Sequence, residues 1–162
     1  MRKNSGFTLN ELLVIIAIIA VLASIAIPNV IGWLPKYRMS GAARDIYSAM
    51  QYARLMAVKE MMPIAINFNV GTDTYTVFTD EVSTNGTLDL GETILKTGTM
   101  PADVDMFSAS FTGGVPYAGF DARGLPIQYF PGTGGGSVDL QNIPSNLSEK
   151  ITLRVSGSPV IS

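Results

Sequence analysis

The sequence contains no cysteine and no histidine. Their absence excludes cysteine and histidine zinc sites, catalytic thiols, c-type haem attachment and a serine–histidine–aspartate triad. Charged residues are also scarce, at 15% of the 162 residues, whereas a soluble domain usually has about 25%. The remaining reactive groups are carboxylates, hydroxyls and lysines, and the sequence suggests no combination of nucleophile, base and oxyanion donor. We therefore predict that the protein is not an enzyme.

Hydrophobic residues make up 47% of the chain, and the excess is concentrated near the N-terminus. Leu12–Ile27 is an apolar run without a charged residue. As a helix it would be roughly 24 Å long, and the apolar flanks Phe7–Leu9 and Val30–Leu34 extend it towards the roughly 30 Å of a hydrocarbon core. Arg2 and Lys3 precede the run, which favours a cytoplasmic N-terminus. The sequence therefore predicts one membrane-spanning helix.

Three features distinguish this segment from an ordinary membrane anchor. Glu11 lies in the apolar helix, where an unpaired ionised carboxylate is heavily penalised, so this residue is a functional candidate. Gly6 is followed directly by Phe7 at the border between the basic leader and the apolar run. Pro28 ends the run, removes one helical hydrogen bond and is expected to kink or locally melt the helix.

The segment KNSGFTLNELLVIIAIIAVLASIAIP resembles the N-terminus of type IV prepilins and type II secretion pseudopilins. The resemblance implies that a prepilin peptidase cuts between Gly6 and Phe7 and then methylates the new amine of Phe7. Residues 1–6 would then be a leader peptide. Loss of Arg2 and Lys3 leaves 9 of the 11 basic residues against 13 acidic ones, a net charge of −4.

The same resemblance implies that Glu11 and Pro28 take part in assembly. In a filament, the Glu11 carboxylate of one subunit would meet the Phe7 amine of its neighbour at low dielectric, and the penalty for an unpaired charge would fix the axial register. Pilin helices often carry a proline at the position of Pro28, whereas Asn10 departs from the usual aliphatic residue. The implied partners are other pilin subunits, the prepilin peptidase, the inner-membrane assembly platform and, before assembly, membrane lipid.

Two other interpretations of the N-terminus remain open. A conventional secretory signal peptide would use Arg2 and Lys3 as its basic region and be cut after Ala26, where Ser24 and Ala26 supply the small-x-small pattern. Glu11 in the apolar region argues against it. A plain signal anchor is the second alternative, and either would leave a β-domain protein that is secreted or anchored.

The segment from Lys36 to Lys59 is predicted to form an amphipathic helix that packs on a globular head. Its apolar residues recur at spacings of three and four: Met39, Ala42, Ala43, Ile46, Ala49, Met50, Ala53, Met56 and Ala57. The small alanines would let a sheet approach the helix closely.

The stretch AARDIYSAMQYARLMAVKEMMPIAINF resembles the GspH/FimT-like branch of minor pseudopilins and minor pilins. That branch tends to have an Ala-Arg pair followed by Ala-Val/Ile-Lys and then a strand. Here these are Ala53-Arg54 and Ala57-Val58-Lys59. We interpret Arg54 and Lys59 as part of a solvated helix face.

Residues 63–162 are predicted to form a β-rich head. Short strands between Gly/Pro turns are expected at Ile64–Phe68, Tyr75–Thr79, Ile94–Thr97, Val104–Phe107, Ile127–Phe130, Val138–Gln141 and Ile151–Val155. Phe120–Gly124 is interpreted as a turn before a strand, and Gly134–Gly136 as a flexible turn. The predicted fold class is α+β and pilin-like: a long N-terminal helix, transmembrane at 7–35 and amphipathic at 36–62, packs on an antiparallel sheet.

Acidic and amide oxygens surround a glycine in the segment 80–92. Asp80, Asn85, Asp89 and Glu92 would suit a hard cation such as calcium if the loop curls, although the spacing does not match an EF-hand. The alternative is a solvated loop between two strands with Asn-Gly as its turn. Calcium is therefore an open alternative, and no other metal or cofactor is predicted.

Together, these features predict a minor structural subunit of a type IV pilus or a type II secretion pseudopilus. It would lie first in the bacterial inner membrane, with its head on the periplasmic side. A DNA-binding minor pilin for DNA uptake is the alternative and would need a basic patch. DNA-binding relatives carry a basic motif near the C-terminus, but here Arg154 stands alone, and Ser158 and Val160 replace the expected basic residues. The acidic net charge likewise does not favour nucleic acid.

Overall fold

The computed structural model describes residues 7–129 and 134–162. Over these ranges the chain forms one long helix followed by eight strands. It divides into two compact units, one ending at Pro35 and the other comprising Lys36–Ser162. The predicted α+β, pilin-like fold class is confirmed, because a long N-terminal helix is followed by antiparallel sheets that pack on it.

The helix α1 spans Leu9–Glu60 and includes both Pro28 and Pro35. The helix is therefore not melted at Pro28, whereas the kink expected as the other effect of this proline stays a prediction. A proline removes one hydrogen bond, but the backbone on both sides of it keeps the helical ladder. The helix ends where Met61 adopts a left-handed backbone conformation with φ 55°, two residues before Pro63.

The head contains two four-stranded antiparallel sheets. Its strands are β1 (Ile64–Asn69), β2 (Thr74–Thr79), β3 (Ile94–Thr99), β4 (Val104–Phe111), β5 (Tyr117–Phe120), β6 (Gly136–Asn142), β7 (Leu147–Leu153) and β8 (Pro159–Ile161). The first sheet has the order β3-β2-β1-β5 and the second the order β4-β6-β7-β8. Every pair of neighbours in both sheets is antiparallel.

The core of the head lies between α1 and the inner faces of the sheets. The helix buries Met39, Ala42, Ala43, Ile46, Ala49, Met50, Ala53 and Ala57, which is the predicted apolar stripe apart from the partly buried Met56. Phe68 of β1 stacks on Phe111 of β4 with ring centroids 5.6 Å apart. This contact joins the two sheets within one core.

The strand predicted at Ile127–Phe130 is wrong, because residues 127–129 form no strand and Phe130 lies outside the described residues. The strands β5 and β8 were not predicted. β5 is short and contains Gly119, where a Cβ would lie 2.0 Å from the hydroxyl of Tyr129. β8 has three residues and starts at Pro159. Neither strand has the long β-branched run from which a strand is predicted.

The interpretation of Gly134–Gly136 as a flexible turn is wrong for Gly136, whereas Gly134 lies in a bend with φ 71°. Gly136 is the first residue of β6, and a Cβ there would lie 2.4 Å from the Cα of Phe111 on the neighbouring strand. A Cβ at Gly135 would lie 2.8 Å from the carbonyl oxygen of Leu153. These glycines therefore allow backbones to approach closely.

Candidate assembly helix and head surfaces

Thr8 caps the N-terminus of α1. Its hydroxyl accepts a hydrogen bond from the backbone N–H of Glu11 at 3.3 Å, and its carbonyl accepts one from Leu12 at 3.1 Å. Thr8 and Glu11 thus occupy the Ncap and N3 positions of a capping-box pattern. The Thr-x-x-Glu spacing is visible in the sequence, so the capping role of Thr8 could have been predicted from it but was missed.

The apolar side chains of the first unit are exposed around the whole helix. None of residues 7–35 is buried, and Phe7 and Leu9 are 77% and 82% exposed. By length and composition α1 is able to cross a membrane, with a mean hydropathy of 2.7 in its most apolar stretch. A helix that is hydrophobic on all sides needs lipid or other helices around it.

Three of the predicted site residues lie in this unit. Phe7 precedes the helix, Glu11 is in its first turn and Pro28 is inside it, whereas Gly6 lies outside the described residues. Glu11 forms no ion pair with the part of the chain that the structure describes. The Glu11 carboxylate is therefore able to pair with a cationic group that lies outside the described residues.

Arg54 is not a solvated residue of the helix face, so that prediction is wrong. Its Nε donates a hydrogen bond to the carbonyl of Gly124 at 3.0 Å. A Cβ at Gly124, whose φ is +72°, would lie 3.0 Å from Val58 and 3.2 Å from Arg54. Arg54 thus joins the helix to the turn after β5. Lys59 is exposed and pairs with Glu60 at 2.8 Å, as expected of a solvated face.

The turn at Phe120–Gly124 is confirmed, although no strand follows it. The carbonyl of Asp121 accepts the N–H of Gly124 at 2.8 Å, and the Asp121 side chain accepts the N–H groups of Arg123 and Leu125 at 2.9 and 3.0 Å. Burial alone would raise the pKa of Asp121, but the Leu125 N–H and the Arg123 guanidinium hold that pKa below its ordinary value.

Asp80 anchors the long loop between β2 and β3. Its carboxylate is fully buried and accepts the N–H groups of Asn85 and Gly86, each at 3.1 Å. It also accepts the hydroxyl of Tyr129 at 2.6 Å. Burial raises the pKa of Asp80 above its ordinary value, although the Tyr129 hydroxyl and the backbone N–H groups oppose the shift. Burial and Asp80 together raise the pKa of Tyr129.

The other predicted calcium ligands bind protein donors within the same loop. Asn85 Nδ2 donates to Asp89 Oδ2 at 3.0 Å, and Ser83 Oγ also bonds to Asp89. Glu92 Oε2 accepts the backbone N–H of Asp89 at 2.8 Å. Nowhere in residues 7–129 and 134–162 do three acidic side chains come together as a metal site would require. We assign no calcium to this loop.

A long helix whose capped, apolar first part contains no buried residue, followed by an antiparallel head, is typical of a pilin-like protein. Residues 1–27 match the prokaryotic N-terminal methylation motif. Residues 42–159 match the family described as type II transport protein GspH. Because this match covers most of the sequence, the chain belongs to the GspH family, and the resemblance to the GspH/FimT-like branch is confirmed.

Part of the sequence is similar to a known protein, and the fold is similar to solved structures. The chain is 44% identical over 46 residues to the type II secretion system core protein G of Vibrio cholerae, and the match spans 28% of this chain and 32% of that protein. The minor pilin FimU of Pseudomonas aeruginosa has a similar fold, with a TM-score of 0.57 at 18% identity over 78% of this chain and 90% of that one. The minor pseudopilin EpsH of Vibrio cholerae has a TM-score of 0.58 at 9% identity over 77% and 96%.

Proposed function

We propose that this chain is a minor subunit of a pilin-type filament, either a type II secretion pseudopilus or a type IV pilus. The GspH match and the methylation motif support this class of protein. The observation that carries the mechanism is Glu11, a carboxylate without an ion-pair partner in the described chain, in the first turn of an exposed apolar helix. We assign a structural role to the chain and no catalytic one.

The proposed sequence of events starts in the inner membrane. The apolar segment 7–35 spans the bilayer, and the leader 1–6 faces the cytoplasm. Residues 63–162 form the head on the periplasmic side, and the segment 36–62 joins the two. A prepilin peptidase then cuts between Gly6 and Phe7 and methylates the new amine. An inner-membrane platform moves the subunit from lipid into the filament.

Burial among neighbouring helices would hold the subunit in the filament. On assembly, the apolar side chains between Phe7 and Trp33 would exchange contacts with lipid for contacts with neighbouring helices. Because lipid and helices are both apolar, packing alone leaves the axial register of the subunits weakly defined. A Glu11 carboxylate beside the Phe7 amine of a neighbouring subunit would define it, because any other register leaves two charges buried without partners.

The mature N-terminus tests the processing step directly. Mass spectrometry of the protein taken from membranes should give a chain that begins at N-methylated Phe7. Detection of an intact Met1 would contradict peptidase processing, and a start at Ile27 would support the signal-peptide alternative.

Replacement of Glu11 tests the assembly step. Glu11→Gln keeps the shape of the side chain but removes the charge, so we expect its incorporation into sheared filaments to fall at least about tenfold, an effect of about 1.4 kcal/mol. Asn10→Leu is the matched control, since it changes the adjacent residue to an aliphatic one and keeps the carboxylate. Normal incorporation of Glu11→Gln at normal membrane levels would contradict the pairing.

A further inference from the structure

The outer edge of β3 carries backbone groups that point away from the first sheet. Just beyond this strand, the N–H of Met100 donates to the carbonyl of Asp73 at 2.8 Å, so these two residues form a hydrogen-bonded pair that continues the ladder between β2 and β3. Hydrogen-bonded and non-hydrogen-bonded pairs alternate along an antiparallel ladder. Thr99 and Thr97 lie one and three positions before Met100 in the same register. Their N–H and C=O groups therefore point outwards.

The other end of β3 follows the same alternation. The N–H of Thr79 donates to the carbonyl of Thr93 at 3.0 Å, so Ile94, the next residue, again occupies a non-hydrogen-bonded position and points its backbone groups outwards. Within the described chain, the outward N–H groups of Ile94, Thr97 and Thr99 have no hydrogen-bond acceptor. The edge of β3 thus offers three free backbone donors.

The opposite edge of the first sheet is covered by the chain itself. Beside β5, the carbonyl of Gly119 accepts the N–H of Ile127 at 2.8 Å, and the N–H of Asp121 donates to the carbonyl of Leu125 at 2.9 Å. Residues 125–127 therefore occupy the place that another strand would need.

Both edges of the second sheet are blocked by other means. On β4, the N–H of Met106 donates to Oδ1 of Asp73 at 2.8 Å, and the N–H of Phe111 donates to the carbonyl of Val115 at 2.9 Å. The strand β8 starts at Pro159, which has no N–H to donate. Covering segments and prolines are common protections of edge strands, and within the described residues β3 has neither.

The lysine of β3 does not protect this edge either. Lysines on edge strands often prevent pairing, but the Nζ of Lys96 pairs with Asp45 of α1 at 3.2 Å and lies 5.4 Å from the centre of the Tyr75 ring. Its side chain is therefore held on the helix side of the sheet. The same ion pair places β3 beside α1, so a neighbouring subunit that packs along this part of the helix reaches the edge.

We propose that the edge of β3 binds an extended segment of a different filament subunit, which adds a fifth strand to the first sheet. The outward groups of Thr97 and Thr99 repeat every second residue, and an extended backbone has this repeat whereas a helix uses its own N–H and C=O groups internally. The segment therefore has to be extended and free of proline. An aliphatic side chain would suit the place beside Ile94, which is 52% exposed.

The choice of occupant rests on the proposed function. A minor subunit is flanked in its filament by other kinds of subunit, so the strand that pairs with β3 is assigned to one of them and not to a second copy of this chain. The contact would add to the packing of the N-terminal helices.

Amide hydrogen exchange at single-residue resolution tests the pairing in the full chain, once in detergent and once in sheared filaments. In detergent, the outward N–H groups of Thr97 and Thr99 should exchange quickly, whereas the ladder protects the inward N–H of Gly98. In filaments, we expect the exchange of Thr97 and Thr99 to slow at least about tenfold. Equal exchange rates in the two samples would overturn the proposal.

The matched control for exchange is the N–H of Ile161 on β8. Lys150 and Ser162 donate to each other's carbonyls at 2.9 Å, so the N–H of Ile161 between them along the ladder points outwards as well. It should exchange equally in both samples. Slowing of Ile161 to the same extent as Thr97 would mean that the filament shields the whole head, and it would overturn a specific pairing at β3.

Proline substitution removes an outward donor without breaking the ladder to β2. We expect Thr97→Pro to lower incorporation into sheared filaments at least about threefold at equal membrane levels. Thr97→Val is the matched control, because it keeps both the backbone N–H and the β-branched shape, and it should assemble normally. Thr99→Pro removes the neighbouring donor and should act like Thr97→Pro. Normal incorporation of both proline variants would overturn the proposal.

Cross-linking identifies the occupant. The chain has no cysteine, so Ile94→Cys can carry a benzophenone label, and irradiated filaments should give a cross-linked peptide from a different filament subunit. Ile143→Cys, at a position that is 64% exposed, is the control and should not cross-link to that peptide. A cross-link from Ile94→Cys to a second copy of this chain would overturn the assigned occupant, and equal products from both labels would overturn the site.

The filament role and the strand pairing fail in different ways. Failure of the wild-type chain to enter filaments would overturn the proposed function and this contact with it. Normal entry of the wild type with fast exchange at Thr97 and Thr99 would overturn the contact alone.

Discussion

At the scale of single residues, the N-terminal motif could be recognised from the sequence, and residues 1–27 match the methylation motif. The roles of Gly6, Phe7 and Glu11 stay predictions, and they rest on neighbours within one helical turn. Arg54 was misassigned because its partner is 70 positions away, and the hydroxyl that binds Asp80 comes from 49 positions away. Such contacts exist only after the chain has folded, so local spacing could not reveal them.

Arg54 is predicted to stabilise the head. Arg54→Met keeps an unbranched side chain but leaves the carbonyl of Gly124 without this donor, so we expect a loss of about 1–2 kcal/mol in the free energy of unfolding. The measurement is thermal or denaturant unfolding of the full chain in detergent, followed by the near-ultraviolet signal of the head tyrosines.

The matched control is Arg44→Met on the same helix. Arg44 is exposed and makes no ion pair or side-chain hydrogen bond within the described residues, so its replacement should change stability by no more than about 0.5 kcal/mol. Equal effects of the two substitutions would mean that the hydrogen bond from Arg54 adds nothing beyond the loss of a surface charge.

At the scale of elements, the loop between β2 and β3 explains why residues on the outer face of the first sheet are buried. The alternation of apolar and polar residues along the strands could not predict this burial. Ala65 and Phe78 pair across β1 and β2 and are fully buried, yet neither belongs to the core beneath the helix. Gly86, also buried, lies so close to Tyr117 that a Cβ would come within 2.2 Å of the ring. The loop therefore covers the outer face of the first sheet, and Asp80 holds it there.

The buried carboxyl of Asp80 makes a pH-dependent contribution to the stability of the head. The folded pKa of Asp80 is raised above its ordinary value, so the protonated carboxyl fits the folded state better than the ionised one. The contribution is fully present below the ordinary aspartate pKa and is lost as the pH rises through the raised pKa. The stability of the wild type relative to Asp80→Asn should therefore fall as the pH rises above the ordinary aspartate pKa and through the raised one.

Unfolding curves of the full chain at several pH values would measure this difference. Glu81→Gln serves as the control, because it removes an exposed carboxylate from the same loop and should not reproduce the pH dependence. A wild-type advantage over Asp80→Asn that grows with rising pH would contradict the raised pKa, since that trend belongs to a carboxylate stabilised in its charged form.

At the scale of the whole molecule, the two compact units have opposite solvent requirements. Every residue buried in the described chain lies at Met39 or beyond, so the unit Lys36–Ser162 contains the entire described core. The unit ending at Pro35 buries nothing and exposes an apolar surface on all sides. The hydropathy of the sequence predicted this contrast, because hydropathy depends only on composition along the chain. The order of the strands could not be predicted in this way, because it depends on contacts between residues distant in sequence.

A chain that starts at Lys36 should therefore fold without a membrane. It keeps the complete apolar stripe of α1 and both sheets, and it loses no residue that is buried within the described protein. We expect residues 36–162 to be soluble without detergent and to unfold cooperatively, with a midpoint within a few degrees of that of the full chain in detergent. The chain 7–162 is the control and should precipitate once detergent is removed. Loss of cooperative unfolding in 36–162 would mean that residues before Lys36 contribute to the stability of the head, since truncation leaves the described core contacts intact.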